Sequence, residues 1–67
     1  MILFLFPNIH HVMAAEEALK NASVPCALVP TPKEHSKECG MSVEIDEEQE
    51  DAAERALQNI PHRSLRK

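Results

Sequence analysis

The chain opens on MILFLF, an unbroken apolar run from Met1 to Phe6, and this run limits what the rest can build. Continuously apolar and rich in large side chains, it reads as a strand covered on at least one face and central in its sheet, closed by Pro7. As a signal peptide it is too short, and it lacks a basic leading region. A chain of 67 residues is one domain at most, 1–67. At that size only about 60% of the unfolded surface is buried, so the core is thin and self-association is an expectation.

The remaining elements follow from periodicity and punctuation. Asn8 is a good N-cap, and Val12, Ala15, Leu19 and Ala22 recur at helical spacing, which predicts a helix over about 9–22. SVPCALVP gives a short strand over about 26–29, and its bounding prolines favour a sheet edge because proline cannot donate to a ladder. In TPKE, Thr31 and Glu34 have the spacing of a capping box with Pro32 at the first helical position, so a short helix is expected over about 32–38. Gly40, free to take positive φ, is the natural residue just past its end. MSVEI alternates, with Met41, Val43 and Ile45 on one face. Asp46 and Gln49 resemble a second capping box, before a helix whose apolar stripe is Ala53, Ala56, Leu57 and Ile60. The basic tail PHRSLRK, 61–67, either adds a short last strand or frays.

Strand, helix, strand, short helix, strand, helix and a short final strand make two split β-α-β units. The fold class expected is therefore mixed α/β of the α+β kind, a ferredoxin-like sandwich with the first and third strands central. Phe4, Leu19, Val43 and Leu57 are its expected core.

Several functions are disfavoured by composition. A formal charge of −4 opposes phosphate-backbone binding, and Phe4 and Phe6 are the only aromatics, so no platform for stacking bases is evident. No stretch approaches the roughly 20 apolar residues of a membrane span. The four histidines and two cysteines show neither His-x-x-x-His nor Cys-x-x-Cys spacing, so no metal and no cofactor are expected. The acidic block DEEQED lacks the glycine and alternating ligands of a calcium loop. Two cysteines in a chain without an export signal point to reduced thiols and the cytoplasm.

That leaves the stretch PTPKEHSKECGM, where Cys39 stands beside Gly40, the chain's single glycine. A working thiol needs exposure and a nearby influence that favours the thiolate. Lys33 and Lys37 bring positive charge, and His35 and Ser36 share a face with Cys39 if the turn is regular, while the end of a helix acts in the opposite sense. On residue chemistry alone a reactive thiol and a small buried hydrophobe are both open readings. Cys26 reads as packing, with a resolving thiol for Cys39 as its functional alternative.

AAEEALKNASVPCALVPTPKEHSKECGMSVEI resembles a family of short, mostly bacterial proteins described as selenium or sulfur carrier-like. The matching positions are Ala15, Glu16, Leu19, Lys20, Val24, Pro25, Pro30, Pro32, Glu34, Ser36, Cys39 and Gly40, and the segment from Pro30 to Gly40 is the most specific. Lys33 stands where the family carries arginine, His35 where an aliphatic residue is usual, and Ala22 or Ser23 replaces the customary glycine after the first helix. The resemblance implies a thiol carrier: Cys39 takes sulfur or selenium as a persulfide or selenopersulfide, and Gly40, Lys33, His35, Ser36 and Glu34 support it. Its partners would be donor and acceptor proteins, with a homodimer a further expectation. The rival reading is a small ferredoxin-like interaction or regulatory module in which Cys39 is structural. A stand-alone enzyme is disfavoured, because no acid-base constellation or substrate cradle is evident.

Overall fold

A computed structural model of the chain describes residues 1–35 and 39–66. The elements run β1 (Ile2–Leu5), α1 (Ile9–Asn21), β2 (Ala27–Pro30), a 3-10 turn (Lys33–His35), β3 (Met41–Ile45), a second 3-10 turn (Glu47–Gln49), α2 (Glu50–Ala56) and β4 (Arg63–Arg66). The four strands form one sheet in the order β2-β3-β1-β4, antiparallel throughout. Two β-α-β units interleave in this way, which is the ferredoxin-like α+β arrangement, with β1 and β3 central as their apolar content requires.

Alternation along the strands assigns two faces. Ile2, Phe4 and Phe6 of the first run and Val43 and Ile45 of β3 join Val12, Ala15 and Leu19 of α1 and Ala53 and Leu57 at α2 in one core. Phe4, Leu19, Val43 and Leu57 are each fully buried, as expected of them. Leu3 and Leu5 point to the other face, which carries no helix, yet are only 1% and 6% exposed. Their cover comes from cross-strand neighbours, Leu65 opposite Leu3 and Arg63 opposite Leu5.

Local chemistry sets the ends of α1. Asn8, with extended backbone, accepts from the His11 amide at 3.1 Å through its side chain, so the expected cap forms. At the other end Ser23 takes φ 59, the left-handed conformation that the missing glycine would have supplied without strain. The amide of Val24 donates to the Leu19 carbonyl and that of Ser23 to the Lys20 carbonyl, the two bonds of a Schellman motif. Val24 is thereby turned into the core beside Leu19.

Other expectations are corrected. β2 starts at Ala27, so Cys26 precedes it. The Thr31–Glu34 capping box does not form, because the Thr31 amide continues the β2–β3 ladder to the Gly40 carbonyl and its hydroxyl lies 2.6 Å from Ser42 Oγ. Of the short helix expected over 32–38, the described part is the single turn Lys33–His35, and 36–38 lie outside the described residues. Gly40 does not take positive φ. Asp46 makes no side-chain cap bond, and the chain enters α2 through the 3-10 turn instead.

The tail resolves as β4, paired with β1 along Arg63–Arg66. Beyond that ladder its hold is electrostatic. Arg66 reaches Glu50 at 2.7 Å and Glu47 at 3.9 Å, and His62 reaches Glu54 at 2.7 Å. Positions 47, 50 and 54 follow one helical stripe, and 62 and 66 share one strand face, so two periodicities meet.

Candidate functional site

Cys39 stands outside regular structure, two residues before Met41 and one before a bend at Gly40. The register pairs Phe4 with Val43 and Pro30 with Met41, which carries Cys39 to the end of the sheet where β1 runs out and α1 begins. It is partly buried and packs against the main core, as its alternation with Met41, Val43 and Ile45 requires. Its neighbour Gly40 is exposed, and among the described residues other than its two chain neighbours nothing lies within 4 Å of where a Cβ would stand. The thiol thus stands partly buried against the core, next in the chain to an exposed glycine.

Lys33 and Glu34 are exposed and His35 is partly buried, all in the 3-10 turn on the same connection. The His35 amide donates to the Pro32 carbonyl at 2.9 Å, which closes that turn. The helix end expected beside Cys39, with its opposing dipole, falls on 36–38, outside the described residues. The shared helical face expected for His35, Ser36 and Cys39 runs through Ser36, outside the described residues, as is Lys37.

Cys26 occupies the other end of the β2–β3 pair, in a depression of about 200 Å³ that Pro25, Glu44, Ile45 and Asp46 also line. From Pro30 back to Cys26 the strand spans four residues, about 13 Å at roughly 3.3 Å per residue. Cys39 lies beyond Met41 in the opposite sense. A disulfide needs Cα atoms within about 7 Å, so this arrangement does not bring the two thiols together. Burial pushes the Cys26 thiol up from its ordinary value, Glu16 adds to the rise, and Lys20 opposes it. Its thiolate is thereby disfavoured, and both cysteines of the chain are free.

A second depression, about 220 Å³, is lined by Leu5, Phe6, Pro7, Pro61, His62 and Arg63. Cys39 lines neither cavity. His62 is only 14% exposed, with its ring edge-on to Phe4 at 5.3 Å. Its Nδ1 lies 2.7 Å from the Ile60 carbonyl and its Nε2 2.7 Å from Glu54, so both nitrogens are engaged within the fold. Among the described residues no group of three or more His, Cys, Asp or Glu side chains is placed to hold a metal ion. Nor is any described helix long and apolar enough to cross a membrane.

Fold and site together define a ferredoxin-like α+β domain that carries a free cysteine on the connection into its third strand. The chain matches the model of the family described as "putative Se/S carrier protein-like" over residues 1–65, and it belongs to that family. No curated protein and no solved structure matches it.

Proposed function

We propose that the protein carries sulfur or selenium on Cys39 between a donor and an acceptor protein. The observation that carries this reading is a free, partly exposed thiol on irregular backbone, next to an exposed glycine. Family membership supports it. The cargo arrives as the terminal atom of a persulfide or selenopersulfide on the donor. The Cys39 thiolate attacks that atom, the donor's bond to it breaks, and the donor leaves as a thiolate, so that Cys39 holds the new persulfide. Discharge repeats the step with the acceptor's thiolate as attacking group, and no external oxidant or reductant is consumed. In this reading Lys33 and His35, with Glu34 between them on the same connection, favour the thiolate of Cys39. Cys26 takes no part in the transfer. Such chemistry belongs in a reducing compartment, which places the protein in the cytoplasm.

Packing of Cys39 against the core favours a second reading, an interaction module in which the thiol only fills space. Intact-mass measurement after incubation with a cysteine desulfurase and cysteine separates the two. The carrier gains one sulfur that persists in Cys26→Ser and is lost in Cys39→Ser. No added sulfur, or sulfur held on Cys26, leaves the packing reading.

A further inference from the structure

The two edges of the sheet differ in how they meet solvent. β4 carries Arg63 and Arg66, charges of the kind that discourage edge pairing, whereas no charged residue occurs from Val24 to Pro32 around β2. Hydrogen-bond accounting then shows what β2 offers. The Thr31 amide donates to the Gly40 carbonyl, and in an antiparallel ladder the hydrogen-bonded pairs recur at every second residue. Val29–Ser42 and Ala27–Glu44 are therefore the bonded pairs, while Leu28 and Pro30 turn their backbone outward. Proline thus falls where the lost N–H would have faced solvent, and its carbonyl remains on offer.

Side chains mark the same edge. Leu28 is 44% exposed and lies on the helix-bearing face, because it pairs with buried Val43. Ile9 and Met13 of α1 are 47% and 62% exposed. They continue the helical stripe of Glu16 and Lys20, the two residues whose charges reach Cys26 ahead of β2. An uncharged edge strand is therefore flanked on its helix side by exposed apolar residues.

We infer that β2 pairs antiparallel with β2 of a second copy of this chain, about a two-fold axis through Leu28, to give a continuous eight-stranded sheet. In that register each Leu28 amide donates to the other copy's Leu28 carbonyl, and each Cys26 amide meets the other's Pro30 carbonyl. On the helix-bearing face the two Leu28 side chains meet, and on the bare face Ala27 of each copy lies against Val29 of the other. No charge is buried and no proline N is asked to donate. A second copy fits better than an unrelated strand because the edge is its own complement in both hydrogen bonding and side-chain character.

Sedimentation equilibrium under reducing conditions, from about micromolar to millimolar protein, tests this. The native chain should reach twice the monomer mass, and Leu28→Lys should lose the dimer while keeping the circular dichroism of the monomer. Register is read separately by Leu28→Cys in a Cys26→Ser, Cys39→Ser background, with Ala27→Cys as the comparison. Under mild oxidation Leu28→Cys should cross-link covalently to a second copy, since directly opposed bonded pairs have Cα atoms about 5.5 Å apart. Ala27→Cys should cross-link far more slowly. A native chain that stays monomeric, a Leu28→Lys variant that still dimerises, or cross-linking through Ala27→Cys in preference to Leu28→Cys overturns the inference.

Discussion

His62 Nε2 lies 2.7 Å from Glu54 Oε1, and together with the Arg66–Glu50 pair this contact ties the end of the chain to α2. The imidazole also stands edge-on to Phe4, so it packs as an aromatic while its other nitrogen faces the Ile60 carbonyl. Each ring nitrogen thus has an oxygen partner within the fold.

His62→Ala should therefore lose packing against Phe4 together with both hydrogen bonds, a cost of about 1–3 kcal/mol in urea unfolding. Glu54→Gln, which leaves the ring in place, should cost about 1 kcal/mol or less, since Glu54 is 43% exposed. Hydrogen exchange should report the loss first at the β4 amides that pair with β1. Equal protection of β4 in His62→Ala and the native chain would show that the strand holds without the clasp.

The same contact explains which parts of the fold were legible in the sequence. β1, α1 and β3 announce themselves through an apolar run, a 3.6-residue stripe and a clean alternation, and the sheet order follows from their relative burial. β4 was open between strand and frayed tail because its four residues contain one large apolar side chain, Leu65, and its anchors lie elsewhere. Those anchors, Glu47, Glu50 and Glu54, read locally as a helix start and solvent face. Two capping boxes failed for a related reason. Their spacing is right, but the Thr31 amide was already needed by the β2–β3 ladder, and Asp46 leads into a 3-10 turn. Cys39 stood out by its place before Gly40, whereas its packing against the core depends on which face of β3 its alternation selects.

Ser23 gives a stabilising prediction. A side chain at φ 59 strains the backbone in a position where glycine is at ease. Ser23→Gly should raise stability by about 1 kcal/mol, seen as a higher urea midpoint with unchanged slope. The opposite end of α1 supplies the complement: Asn8→Ala removes the oxygen that accepts the His11 amide and should cost about 1 kcal/mol. A loss of stability in Ser23→Gly would mean that the serine side chain contributes more than its backbone strain costs.

Gly40 was expected to be held by a left-handed conformation, and it is not. Among the described residues beyond its chain neighbours a Cβ there meets nothing, so Gly40→Ala should change stability by no more than about 0.5 kcal/mol. If glycine matters at this position, it matters through access to the neighbouring thiol. Gly40→Val is then the more telling variant, since it should slow iodoacetamide labelling of Cys39 while the urea midpoint stays near that of Gly40→Ala. Matching labelling rates in native chain and Gly40→Val would remove any gating role from Gly40.

The two thiols should also separate by pH. Burial and Glu16 raise the Cys26 value and Lys20 only partly offsets them, so its thiolate forms at higher pH than an ordinary cysteine's. Alkylation of Cys26, followed by peptide mass in a Cys39→Ser background, should have its midpoint above 9.0, the ordinary value for the group. Glu16→Gln should move the midpoint down and Lys20→Met should move it up. The sign for stability follows from the same shift. A thiol whose folded value lies above its unfolded one favours the folded state fully at pH below the unfolded value, and this contribution is lost as pH rises through the folded value. Stability should therefore fall more steeply above about pH 9 in the native chain than in Cys26→Ala, where no thiol titrates at position 26. In the native chain near neutral pH, Cys39 should label before Cys26. Labelling of Cys26 first would leave burial of that thiol without a chemical consequence and would remove the contrast on which the assignment of Cys39 as the reactive one depends.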